Sequence, residues 1–285
     1  MGITFYRKIL NILRFPESFL MTGFFMIGGI FAIENFNFEN LFRLILSFLV
    51  CLFLVFSIYE YNAFAGYSYD KYNERLRKIS FFKSSHFFYL YLLFFLLSIT
   101  TSLFLNYYLW LFIIITQVLW FLYSHPNHGF KIVPYAGSIL HFIAQIVHFN
   151  MIWMVFKPIA YSSLLISAFF ALIFSAGHIH HELIDYESDM EQNIRTGASK
   201  MGYKTAARVS YLIFLLAHFY LVFLWKIKLF ETSLLLLFWA GFLIQTVLFF
   251  IFKPFIMKPT ENRIKYRDLY RAIFFIEGLL IILLK

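Results

Sequence analysis

In a chain of 285 residues, 61% hydrophobic and 23% aromatic with only 14% charged, the apolar surface exceeds what a water-soluble fold can bury. This excludes a soluble enzyme and makes the bilayer the solvent. The net charge of +9 would suggest nucleic acid in a soluble protein; here it asks which membrane face carries the basic residues. A single cysteine, Cys51, in a Leu/Phe/Val run excludes a disulfide framework and a cysteine metal site.

Arg7, Lys8 and Arg14 precede the first apolar stretch, and no small-residue cleavage site follows them, so a removed signal peptide is not expected. A window of about 19 residues, the length that crosses roughly 30 Å of hydrocarbon, then finds nine predicted spans. Their cores are 16 to 34, 41 to 60, 87 to 105, 107 to 123, 138 to 156, 161 to 181, 205 to 225, 231 to 252 and 268 to 284. No low-complexity segment or Pro/Gly/Ser linker interrupts them, which predicts a single transmembrane domain over 1–285 with an all-α fold. With the N-terminus inside, every Lys and Arg except Arg43, Lys157, Lys226, Lys228 and Lys285 falls on one side. Positive charge is retained in the cytoplasm, so the loops on that side are expected to be cytoplasmic, and the location to be a bacterial inner membrane.

Two of those loops carry acids in a helical register. The first reads YEYNAFAGYSYDKYNERLRK, where Asn62, Gly66 and Asp70 share one face if the second span continues past its apolar core. The second reads HHELIDYESDMEQNIRTGASKMG, where Asp185 and Asp189 stand four apart with Glu182 before them. Helix ends that present oxygen ligands one turn apart at the same face can hold divalent cations. Mg2+ prefers such oxygens and commonly bridges to substrate phosphates. The basic residues Arg75, Arg77, Lys78, Arg195 and Lys200 supply counter-charge to a diphosphate.

These segments resemble the motifs of the UbiA superfamily of intramembrane prenyltransferases. The first motif is matched by Asn62, Asp70, Asn73, Glu74 and Arg77, and the second by Glu182, Asp185 and Asp189 followed by Arg195, Thr196, Lys200, Gly202 and Ala206. Between them YSHPNHGFKIVPYAG places Tyr123, Pro126, Lys131 and Pro134 where the family has Tyr-Ser, Pro, Lys and Pro. The resemblance covers nearly the whole chain. It implies a bundle of about nine helices around a central cavity open to lipid, in which Mg2+ holds an isoprenyl diphosphate and the isoprenyl group passes to a lipid-soluble or aromatic acceptor. On this reading Asp185, Asp189 and Asp70 are the catalytic carboxylates, and Asn62 joins them as a metal ligand. Arg77, Lys131, Arg195 and Lys200, with Tyr123, contact the diphosphate. Metal and cationic side chains stabilise the departing charge, and aromatic rings the allylic cation.

The first motif is degenerate. A carboxylate is replaced by Gly66, and Ala63 follows the Asn, so Asp70 is the one acid left at its ligand positions; Glu182 replaces an Asp in the second. A terpene cyclase or a non-transferring relative of the same family therefore stays open. Two other classes are weighed beside it. Histidines 178, 180 and 181, with His125, His128, His141 and His148, bring to mind a membrane di-iron oxygenase or desaturase, although their spacings do not reproduce its His boxes. His141 and His148 share a helix face, fit for an acceptor pocket, a base or interhelical bonding. A transporter is compatible with the span count but lacks matched Gly/Pro-broken helices.

Overall fold

The computed structural model describes residues 10–67, 83–125, 129–191, 194–256 and 260–284. Among them there are helices and turns but no strand, as a bilayer demands of backbone that must satisfy its own hydrogen bonds. In chain order the helices are α1 (Phe15–Ala32), α2 (Phe38–Gly66), α3 (Ser84–Ser102), α4 (Leu109–Ser124), α5 (Ala136–Phe156), α6 (Tyr161–Ile184), α7 (Tyr186–Glu191), α8 (Gly197–Met201), α9 (Tyr203–Lys226), α10 (Thr232–Phe252) and α11 (Thr260–Leu284).

A described helix coincides with each of the nine expected spans. Seven are long and apolar enough to cross a membrane by length and composition. Of the other two, α4 has 16 residues, and α11 opens on the charged run TENRIKYRD, so the count of nine is approximate. The short α7 and α8 were not expected from the sequence.

The chain forms two compact units, Met1–Gly129 with Val147–Pro158, and Phe130–Ile146 with Ile159–Lys285. In the first, α1 to α4 pack with the end of α5. Asn37 caps α2 by accepting the Asn40 N–H at 2.8 Å. Gly28 of α1 lies where any Cβ would strike the Phe149 carbonyl, so only glycine admits this close crossing. Several polar groups inside this unit are paired with one another: Ser98 donates to the Val50 carbonyl at 3.0 Å, Gln117 to Ser57, and Trp120 Nε1 to His148 Nε2 at 3.3 Å. Two of the cations assigned to the minority face sit beside acids, Lys157 Nζ 2.5 Å from Glu34 and Arg43 Nη2 2.7 Å from Glu39.

In the second unit α6 packs on α9, and α10 on α11. Ser210 donates to the Ala176 carbonyl at 2.8 Å, Tyr220 to the Leu165 carbonyl at 3.0 Å, and Gln245 Nε2 to the Tyr266 hydroxyl at 3.2 Å. Side chains 263, 266, 270, 277 and 281 make the buried stripe of α11, the spacing of one helix face. Gly241 opens α10 to the buried Glu277 side chain.

Candidate active site

The apolar run of α6 carries the chain to the membrane face, and the helix ends on the charges that follow. Asp185 is its C-cap, in right-handed helical conformation. The Asp189 N–H then donates to the Asp185 carbonyl at 2.8 Å, so α7 continues the winding after a bend. Residues four apart on such a turn are neighbours, with Cβ atoms about 5–6 Å apart. The two carboxylates differ in setting. Asp185 is exposed, with a carboxylate oxygen 3.8 Å from His181 Nε2, whereas Asp189 is buried.

Glu182 does different work. Its Oε2 accepts the Ala198 N–H at 2.9 Å, pinning α8 against the end of α6. Gly197 makes room for this, since a Cβ there would lie 3.0 Å from the same oxygen. Thr196 caps α8 by accepting the Ser199 N–H at 3.2 Å, and the Ile194 N–H donates to the Asp189 carbonyl at 2.8 Å. Gly202, at φ 78°, turns the chain into α9. The described residues between Glu182 and Gly202 are thus held by bonds at Glu182, Asp189, Thr196 and Ser199.

Beneath it lies a histidine pair. His141 and His178 rings lie 3.7 Å apart, His178 Nδ1 is 3.3 Å from Ser138 Oγ and 3.8 Å from Glu182 Oε1, and His141 Nδ1 donates to the Gly137 carbonyl at 2.8 Å. His180 points elsewhere and donates to the Arg263 carbonyl at 3.2 Å, while His181 is exposed beside Asp185. The three histidines of α6 therefore diverge. Among the described residues no three His, Cys, Asp or Glu side chains converge to hold a metal, which leaves the di-iron alternative without a ligand set there.

The second motif is brought together: Asp185, Asp189, Glu182, Thr196 and the exposed Arg195 and Lys200 belong to one folded segment. Lys131 is half-buried in the single turn Phe130–Ile132. In the other unit, Asn62 is half-buried near the end of α2, which runs helically through Gly66, and Tyr123 is half-buried at the end of α4 with its ring 5.4 Å from that of Trp120. Asp70, Asn73, Glu74, Arg77 and His128 lie outside the described residues. The donor set of the second motif fits Mg2+, which keeps several waters and needs only one or two carboxylates plus substrate phosphates.

One residue was missed by sequence reasoning. Arg263, counted only as a basic residue of a cytoplasmic loop, is fully buried. Its Nη1 donates to the Leu183 carbonyl at 2.7 Å, and its Nη2 to Glu187 Oε1 at 2.6 Å and Thr260 Oγ1 at 2.8 Å. The signal lay in its register with Tyr266 and Tyr270 on the buried stripe of α11.

Several solved structures share this fold. A structure of a UbiA homologue from Archaeoglobus fulgidus bound to GPP and Mg2+ is similar at a TM-score of 0.74 and 17% identity, covering 96% of this chain and 99% of that one. A UbiA homologue from Aeropyrum pernix K1 gives 0.71 at 14% identity, covering 93% and 96%. A digeranylgeranylglyceryl phosphate synthase structure gives 0.67 at 18% identity, covering 98% and 97%. These likenesses concern the fold. No curated protein matches the sequence. The model of the UbiA prenyltransferase family matches residues 22–270, and with that span of the chain covered the protein belongs to the UbiA prenyltransferase family.

Proposed function

We propose that the protein transfers an isoprenyl group from its diphosphate, with Mg2+ bound, to a lipid-soluble or aromatic acceptor within the membrane. The observation that carries this reading is the pair Asp185 and Asp189, one helical turn apart at the end of an apolar span, one exposed to an incoming ligand and one buried and fixed. Mg2+ supplies Lewis-acid stabilisation of the departing diphosphate when bound. Asp185 and Asp189 orient that ion, and Arg195 and Lys200 on the same segment balance the negative charge. Asn62, Asp70, Arg77, Lys131 and Tyr123 complete the diphosphate site in this reading, as the family motifs imply. Homologues of the same fold bound to GPP or DMAPP with Mg2+ support the donor class. The positive-inside distribution supports a cytoplasmic position for the Asp185 segment.

The test is direct. Protein purified in detergent is incubated with a panel of isoprenyl diphosphates and Mg2+, and pyrophosphate release is followed with and without quinone or phenol acceptors. Asp185→Ala is expected to abolish release, and Gly66→Asp, which restores an acid to the degenerate motif, to leave it unchanged or raise it. Full turnover by Asp185→Ala would overturn the metal assignment. Release without transfer to any acceptor, accompanied by a cyclic terpene product, would favour cyclisation instead.

A further inference from the structure

We propose that Arg263 is a positioning residue that sets the direction of the Asp185 and Asp189 carboxylates. It acts by bracketing the bend on which they stand. Leu183 and Glu187, the two groups it grips from either side, lie two residues before and two residues after Asp185. The Leu183 carbonyl is one of the last carbonyls of α6, left without a helical partner, and Nη1 satisfies it. Nη2 reaches past the C-cap to Glu187 in the first turn of α7 and also holds Thr260 at the start of α11.

Other contacts fix the arginine itself. Its guanidinium lies over the Tyr203 ring at 5.1 Å, and the Tyr203 hydroxyl is anchored on the Pro254 carbonyl at 2.6 Å. The Arg263 carbonyl takes the hydrogen bond of His180, one turn earlier on α6. One side chain with no solvent exposure thus ties α6, α7, α9 and α11 together at the bend. A guanidinium suits this task because it stays charged and presents a rigid planar fork, so the spacing between its two arms fixes the spacing between its two acceptors. Burying such a charge is costly unless it is paired, and breaking the pairing exposes that cost. Without the fork, the C-cap at Asp185 is free to fray or unwind. The carboxylates of Asp185 and Asp189 then no longer share one turn.

The inference rests on Asp185 and Asp189 as Mg2+ ligands, and the experiment separates the two claims. Mn2+ stands in for Mg2+, and its binding to detergent-purified protein is read by electron paramagnetic resonance with GPP present, for the parent, Arg263→Gln, Arg263→Lys, Glu187→Ala and Asp185→Ala. Melting temperatures are measured alongside. Losing a partner that orients a metal ligand typically weakens metal affinity by roughly 10- to 100-fold. Arg263→Gln and Glu187→Ala are expected to weaken Mn2+ binding on that scale while the protein is still folded at the assay temperature, with Arg263→Lys intermediate. A purely structural role would lower the melting temperature and leave the affinity of the folded protein at the parent value, which would overturn the proposal. If Arg263→Gln does not fold, Glu187→Ala decides: parent affinity in that variant overturns it. Parent affinity in Asp185→Ala sinks the metal assignment itself, whatever Arg263 does.

Discussion

Glu182 shows how a motif position and its physical task come apart at the scale of one residue. Spacing alone groups it with Asp185 and Asp189, and its charge matches the acid of the family pattern. In the structure its carboxylate caps the backbone of Ala198 and stands beside His178, under the segment rather than at its exposed face. Glu182→Ala leaves the buried Ala198 N–H without an acceptor, which costs about 1–3 kcal/mol. The expected result is a lower melting temperature in detergent with Mn2+ affinity close to the parent's in the folded protein. A variant with the parent melting temperature and no metal binding would make Glu182 a ligand after all. The sequence could place the three acids on one helix end, because their spacings of three and four are visible in it. It could not say which of them turns inward, because that depends on Gly197 and the N–H of Ala198, residues 15 and 16 positions on, meeting it in space.

At the scale of elements, the long helices were legible and the short ones were not. An apolar run of span length has one solution in lipid, a helix, and the nine expected cores fall on α1 to α6 and α9 to α11. The continuation of α2 past its apolar core, on which the register of Asn62 and Gly66 depends, is also seen, through Gly66. By contrast α7 and α8 have six and five residues, too few for any hydrophobic period to register, and they are held by tertiary bonds from Glu182 and Arg263. Helix crossings were equally hidden. A glycine inside a span reads as a permissible lipid-phase residue, yet Gly28 marks where α1 meets the backbone of α5. Gly28→Val cannot be absorbed by a rotamer change, because the obstacle is a carbonyl group. Overpacking of this kind costs typically about 1–3 kcal/mol and occasionally more. Thermal unfolding should show Gly28→Val melting well below the parent, while Gly23→Val, at a position with nothing within 4 Å of a new Cβ, stays near it. Equal melting temperatures for the two would mean that the crossing is looser than the close approach of Gly28 and Phe149 indicates.

For the whole molecule, topology is the property that charge counting claims and that a helix list alone does not decide. The cations on the minority side are few, five of 24, and in the first unit two of them, Lys157 and Arg43, sit beside Glu34 and Glu39. The positive-inside rule makes a cytoplasmic position of the Asp185 segment the expected outcome of a topology experiment. Cys51 gives the means to check this, since the only thiol of the chain is fully buried and silent toward a membrane-impermeant maleimide. A cysteine introduced at exposed Ser188 reports one end of the bundle of helices in the second unit, and one at exposed Lys228, beyond the far end of α9, reports the other. Ser188→Cys should be labelled in inverted vesicles and protected in intact cells, and Lys228→Cys the reverse. Because α9 is long enough to span, the two sites must differ if it does so. Labelling of both from one side would mean that α9 does not cross. Exchange of the two patterns would place the carboxylates on the outer face together with most of the Lys and Arg, against the usual bias of membrane insertion.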